Sequence, residues 1–178
     1  MTKRLIETAF PLAEASAASL HEKNMRHGHI STLHLWPARR PLAASRAAII
    51  AALLPDPGYE HERKELVRKL GGKLVPKTKA ARDGKEQSKV EAQGGVLWWG
   101  SESNPDLAWF RDRIREANGG RTPRVLDPFA GGGAIPLEAM RLGCEVEARD
   151  LNPVAWFILK CTLEYPQRIG GERRPLPD

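Results

Sequence analysis

The sequence predicts an α/β protein: a helical N-terminal region over residues 1–58, a basic linker over 59–100, and the first part of a parallel-sheet domain over 101–178. Three observations predict it. The last third alternates short apolar runs with helical patterns, the order in which crossover helices join parallel strands. The stretch from Leu42 to Leu54 is apolar almost all round, as a buried helix is. Between these two regions charge dominates and large apolar side chains are scarce.

Pro11 suits the first turn of a helix running through "LAEASAASLHEK", on which Leu12, Ala15, Ser16 and Ser19 share a face. "NMRHGHISTLHLWPARRP" reads as irregular, with Pro37 and Pro41 set among His, Arg and Trp. "LAASRAAIIAALL" forms the second helix, and Pro55-Asp56-Pro57-Gly58 ends it. From His61 to Glu91 ten Lys or Arg face five Asp or Glu, a net +5 out of the whole chain's +6. That stretch reads as a short helix at most, "HERKELVRKL", followed by a mobile basic loop. "KTKAARDGKEQSK" lacks the hydrophobic surface that offsets ordering entropy, so a solvated linker is favoured there over a specific DNA-binding surface.

After "GGVLWWG", a strand or turn, Asn104 and Pro105 supply an N-cap and a first-turn residue. Leu107, Phe110, Ile114 and Ala117 then fall on one face of a helix that stops at Asn118-Gly119-Gly120. "RVLD" is a short strand, a glycine loop comes next, and "AIPLEAMRLG" is a helix ended by Gly143. "CEVEARD" is a strand that alternates Cys144, Val146 and Ala148. Asn152 and Pro153 open a last helix, "VAWFILKCTLEY", which Pro166 closes. This order begins a parallel sheet wound in the Rossmann manner.

Lys and Arg total 28 against 22 Asp and Glu, which suits a polyanionic partner. Cys144 and Cys161 form neither a C-x-x-C pair nor a disulfide framework, as expected of a reduced cytoplasmic chain without a zinc ribbon. No apolar run approaches the roughly 18 residues of a membrane span, so neither membrane partner nor anchor is expected.

The glycine loop "DPFAGGG" occupies residues 127–133. A dinucleotide site follows G-x-G-x-x-G; here Gly131 and Gly133 fit the first two positions and Pro136 replaces the third. Asp127 ends the strand four residues before Gly131, where its charge is a poor neighbour for pyrophosphate. Both departures argue against a nicotinamide-dependent oxidoreductase. The acid suits a cation instead. S-adenosylmethionine (AdoMet) carries a sulfonium and an ammonium and no phosphate; glycines would let the backbone approach it, and the next helix would face its carboxylate with its N-terminus. A second acid, Asp150, ends the next strand 23 residues after Asp127, where a carboxylate can accept hydrogen bonds from ribose hydroxyls.

"VLDPFAGGGAIPLEAMRLGCEVEARDLNPVA" resembles the cofactor-binding half of prokaryotic amino-methylating DNA methyltransferases, in which a D-P-F-x-G-x-G loop precedes an acidic strand end and Asn-Pro. "RHGHISTLHLWPARRPLAASRAAIIAALLPDP" resembles the N-terminal domain of unknown function found before that loop in a family of large DNA methylases. One departure is Pro37, where the family pattern calls for a second tryptophan. The resemblance implies a Rossmann-like AdoMet-dependent methyltransferase sheet, incomplete here. It implies that Asp127, Pro128, Phe129, Ala130, Gly131 and Gly133 shape the methionine end of the cofactor pocket, that Asp150 binds the ribose, and that Leu151 or Asn152 lies near the adenine. Thr32, His34 and Trp36 become candidates for the pocket wall, and Arg39 and Arg40 for phosphate contacts with nucleic acid; Trp36 reads equally as plain core.

Methylating an exocyclic amine requires a flipped base whose amine is polarised and whose ring is stacked. The resembling enzymes do this with a D/N/S-P-P-Y/F/W tetrapeptide, which this sequence lacks. The nearest string, Asp56-Pro57-Gly58-Tyr59, has Gly for the second proline and reads as a helix-ending turn. No catalytic residue is therefore assigned. The chain is expected to be the inactive front part of a methylase, as a truncated product, a split-enzyme piece or a fragment, completed by a separate catalytic or target-recognition subunit. His27, His29 and His34 lack a fourth ligand and match no usual zinc spacing, so no metal site is expected. The leading expectation is the AdoMet-binding portion of a DNA methyltransferase acting on adenine N6 rather than cytosine N4. The alternative is a non-catalytic AdoMet- or DNA-binding module of a host-defence or restriction-modification assembly.

Overall fold

The computed structural model describes residues 3–80, 86–98 and 100–171, which form a mixed α/β arrangement with a helical N-terminal region. Helix α1 spans Leu12–Lys23 and follows Pro11, but its buried stripe is Ala15, Ala18 and Glu22, with Leu12 left 69% exposed. Of the face expected from sequence only Ala15 is buried, while Leu12 and Ser16 point to solvent. Helix α2, Leu42–Leu53, buries Leu42, Ala43, Ser45, Arg46, Ala47, Ile49, Ile50 and Ala51, as its nearly uniform apolarity requires. It ends where Pro55 cannot continue it, and the Leu54 carbonyl accepts the Leu5 N–H at 2.9 Å, pinning the start of the chain beside the helix end.

The expected mobile basic loop is replaced by a β-hairpin. Helix α3, Glu60–Gly71, leads into strand β1, Lys73–Ala80, which pairs antiparallel with β2, Glu86–Gln93, from Lys73↔Gln93 to Ala80↔Glu86. Residues 81–85 of the expected loop lie outside the described residues. Net composition hid an alternation that places Leu74, Pro76, Val90 and Ala92 on one face, with Ala92 buried. The hairpin base is closed by Gly72 and Gly95, both at positive φ: a Cβ on Gly95 would come within 2.5 Å of the Gly72 nitrogen. Leu70, Val96 and Leu97 on either side of the hairpin are buried in the main core, so both of its ends are anchored.

Helix α4, Pro105–Ala117, is capped by the Asn104 side chain, which accepts the Asp106 N–H at 2.9 Å, and buries Leu107, Phe110 and Ile114. Strand β3, Arg124–Asp127, helix α5, Ala134–Arg141, and strand β4, Glu145–Ala148, form a βαβ unit with parallel register from Arg124↔Glu145 to Asp127↔Ala148. Pro136 sits in the first turn of α5, where no intrahelical N–H is lost.

Helix α6, Pro153–Leu159, runs through a π turn, Lys160–Glu164, into α7, Tyr165–Ile169. Pro166 therefore opens the last helical segment and does not close the helix: the wider turn before it puts its ring where an N–H needs no partner.

One cluster of buried side chains joins the parts: Ala47 and Ile50 of α2, Leu70 of α3, Phe110 and Ile114 of α4, and Ala139 of α5. Inside it Arg46, 1% exposed, donates from Nε to Glu138, 0% exposed, and from Nη1 to the Val96 carbonyl and the Ser101 hydroxyl. Glu138 also accepts from Arg141 at 2.7 Å. Among the described residues no helix is long and apolar enough to cross a membrane.

Candidate cofactor site

The loop between β3 and α5 is held by the acids at the two strand ends. Asp127 Oδ1 accepts the Phe129 N–H at 3.1 Å. Asp150 reaches across from the end of β4 and accepts the Gly131 N–H at 2.8 Å through Oδ2, while Oδ1 accepts the Asn152 N–H at 2.8 Å. These amides, Asn152 before Gly131, hold the Asp150 carboxyl below the usual carboxylate range. Gly131 and Gly133 adopt positive φ, 50° and 78°, which lets the chain turn from strand into helix within a few residues.

The irregular segment before α2 folds back onto this loop. A Cβ on Gly131 would stand 2.7 Å from Trp36 Nε1, and one on Gly132 would stand 3.1 Å from Trp36 Cβ, so the indole rests directly on the glycines. Around this contact lies a cavity of about 280 Å³ lined by Trp36, Ala38, Arg39, Arg40, Asp127, Phe129, Ala130, Gly131, Gly132, Ala134, Ile135 and Asp150. Arg39 donates through Nη2 to the His34 carbonyl at 2.6 Å, while its Nη1 is buried and meets no acceptor among the described residues. Desolvation lowers its pKa, with Glu22 opposing.

A second cavity, about 580 Å³, shares Trp36, Arg39 and Arg40 with the first and is also lined by Glu22, His29 and Thr32. Glu22 caps α2 from α1: Oε1 accepts the Leu42 N–H at 2.9 Å and Oε2 the Ala43 N–H at 3.1 Å. His29 Nε2 lies 3.1 Å from Glu22 Oε1. Its Nδ1 accepts the Ser31 N–H at 3.1 Å, which puts the proton of the neutral ring on Nε2, toward the carboxylate. Burial lowers the His29 pKa and outweighs the opposing effect of Glu22.

Of the residues assigned from sequence, the first cavity brings together Asp127, Phe129, Ala130, Gly131, Asp150, Trp36, Arg39 and Arg40. The others stand apart from it. Pro128 is exposed beside it. Gly133 faces α6 and the π turn, where a Cβ would come 3.0 Å from Leu159. Leu151 is 93% exposed, and Asn152 caps α6 by accepting the Val154 N–H at 2.9 Å. Thr32 donates to the His29 carbonyl at 2.6 Å, and His34 contributes its carbonyl to Arg39. Sequence reasoning missed Ala38, Gly132, Ala134 and Ile135; only Gly132, as the middle of three glycines, carried a signal. Among the described residues no three His, Cys, Asp or Glu side chains stand together as a metal site would need.

No curated protein and no solved structure matches the chain. Residues 9–93, from just before α1 to the end of β2, match a family model described as a protein of unknown function (DUF1156).

Proposed function

We propose that the chain is the AdoMet-binding portion of a DNA methyltransferase that methylates an exocyclic base amine, adenine N6 rather than cytosine N4. The observation that carries this reading is the meeting of two segments distant in sequence, Trp36–Arg40 and Asp127–Ile135, as walls of one cavity. The donor set suits the cofactor. Asp127 complements its cationic groups, and the Arg39 guanidinium in the cavity wall complements its carboxylate. Asp150 already accepts two amides, yet a carboxylate has about four acceptor positions, leaving room for ribose hydroxyls. Bound there, AdoMet supplies an electrophilic methyl group on its sulfonium. The chain's own share is to bind and orient the cofactor, because the tetrapeptide that would polarise the amine is not in its sequence.

Calorimetric titration with AdoMet, with NAD as control, tests this. Micromolar binding of AdoMet alone, weakened at least tenfold by Asp127→Ala, is the expected result; binding of NAD alone would overturn it.

A second reading, a module that works only within an assembly, is favoured by a separate observation. Leu126, Phe129, Leu151, Val154, Trp156 and Phe157 each leave more than half of their surface exposed, a burden that partner binding would relieve. Transfer of methyl groups to DNA by the purified chain would exclude it.

A further inference from the structure

The register of the β1–β2 hairpin separates its residues into two unlike faces. Leu74, Pro76, Val90 and Ala92 share the face on which Ala92 is buried. The opposite face holds positions 73, 75, 77 and 79 of β1 against 93, 91, 89 and 87 of β2: four lysines, one glutamate, two glutamines and a valine. Lys77 stands directly opposite Lys89. The one acid of this face, Glu91, accepts from Lys77 at 2.8 Å, and its single charge cannot neutralise four lysines. A face that sets four lysine positions against one acid is complementary in charge to a polyanion.

We propose that this face of the β1–β2 ribbon is a docking surface for the phosphate backbone of duplex DNA. Eight residues of extended chain span about 25 Å, most of one turn of duplex at about 34 Å, and a two-stranded ribbon is of a width the major groove admits. The contacts are electrostatic and read no sequence. The choice of DNA among polyanions rests on the methyltransferase reading; the basic face does not, and none of its residues lines the cofactor cavity.

The test is fluorescence anisotropy of a labelled duplex titrated with the full chain across a salt series. The triple variant Lys73→Gln, Lys77→Gln, Lys89→Gln is compared with Lys3→Gln, Lys23→Gln, Lys64→Gln, which changes net charge equally. Affinity of the ribbon variant is expected to fall at least tenfold, and its salt slope by about two to three, near one for each phosphate that is no longer neutralised. The control variant should lose less than threefold. Equal losses in both variants, or no duplex binding by the parent chain at low salt, would overturn the proposal. Equal, equally ribbon-dependent binding of single-stranded RNA would overturn its choice of duplex. AdoMet calorimetry on the same proteins separates the two readings: loss of DNA binding in a ribbon variant of a chain that never binds AdoMet sinks the cofactor site and leaves the ribbon standing. Circular dichroism confirms that each variant is folded.

Discussion

Asp150, two residues past the end of β4, holds the Gly131 amide of the β3–α5 loop at 2.8 Å, so the chain leaving the second strand of the βαβ unit fixes the loop that leaves the first. Because Asn152 and Gly131 amides depress the Asp150 pKa, the charged form is the one bound in the fold. Its contribution is present above the unfolded carboxylate value and is lost as pH falls through the lower folded value. Thermal melts from pH 6 to pH 2 should show the parent chain losing more stability than Asp150→Asn, which has no charge to lose. Parallel curves would remove this role from Asp150.

Trp36 and Gly131 make a double-mutant test. Gly131→Ala should destabilise by more than about 1 kcal/mol, because the residue has positive φ and because the new methyl meets the indole. Trp36→Ala clears the indole but leaves the backbone strain. The second substitution should therefore cost less in the Trp36→Ala background than in the parent, as read by urea denaturation. Equal costs would mean that Trp36 does not rest on the loop.

Arg46 and Glu138 are unequal partners. Removing the carboxylate by Glu138→Ala leaves a guanidinium in the core without the anion that its Nε meets, and should cost about 3–5 kcal/mol. Arg46→Ala should cost less, because Arg141 still holds Glu138 at 2.7 Å. Denaturation midpoints of the two single variants give the order directly.

His29 gives the chain a sensitivity in a higher pH range. Burial lowers its pKa from 6.5, so the unfolded chain takes up its proton first, and stability is full above that value and falls as pH drops through the window beneath it. Scanning calorimetry from pH 8 to pH 5 should show a falling midpoint in the parent chain and a flatter profile in His29→Gln. Identical profiles would place the ring in solvent.

The parts of the fold that sequence made legible are those set by local chemistry. Asn104 and Asn152 announced two helix starts, and the glycine loop with its two acids announced a strand-to-helix turn. The hairpin was hidden because its stability comes from pairing across 6 to 20 residues of chain, while composition registers only its lysines; the glycine pairs 71–72 and 94–95 were its visible brackets. At the site, residue types pointed to Trp36, Arg39 and Asp150, but sequence could not show that Gly133 turns toward Leu159 or that Asn152 is taken up as a cap. Those are decided by which neighbour each backbone turn presents.

The ion pair between α2 and α5 also bears on how such a chain can be inherited. A recombination event that carried residues 101–178 away without α2 would strand Glu138 from the arginine that meets it in the core, and would uncover the apolar side chains around it. Helix α2 and the glycine loop that leads into α5 are therefore expected to travel together.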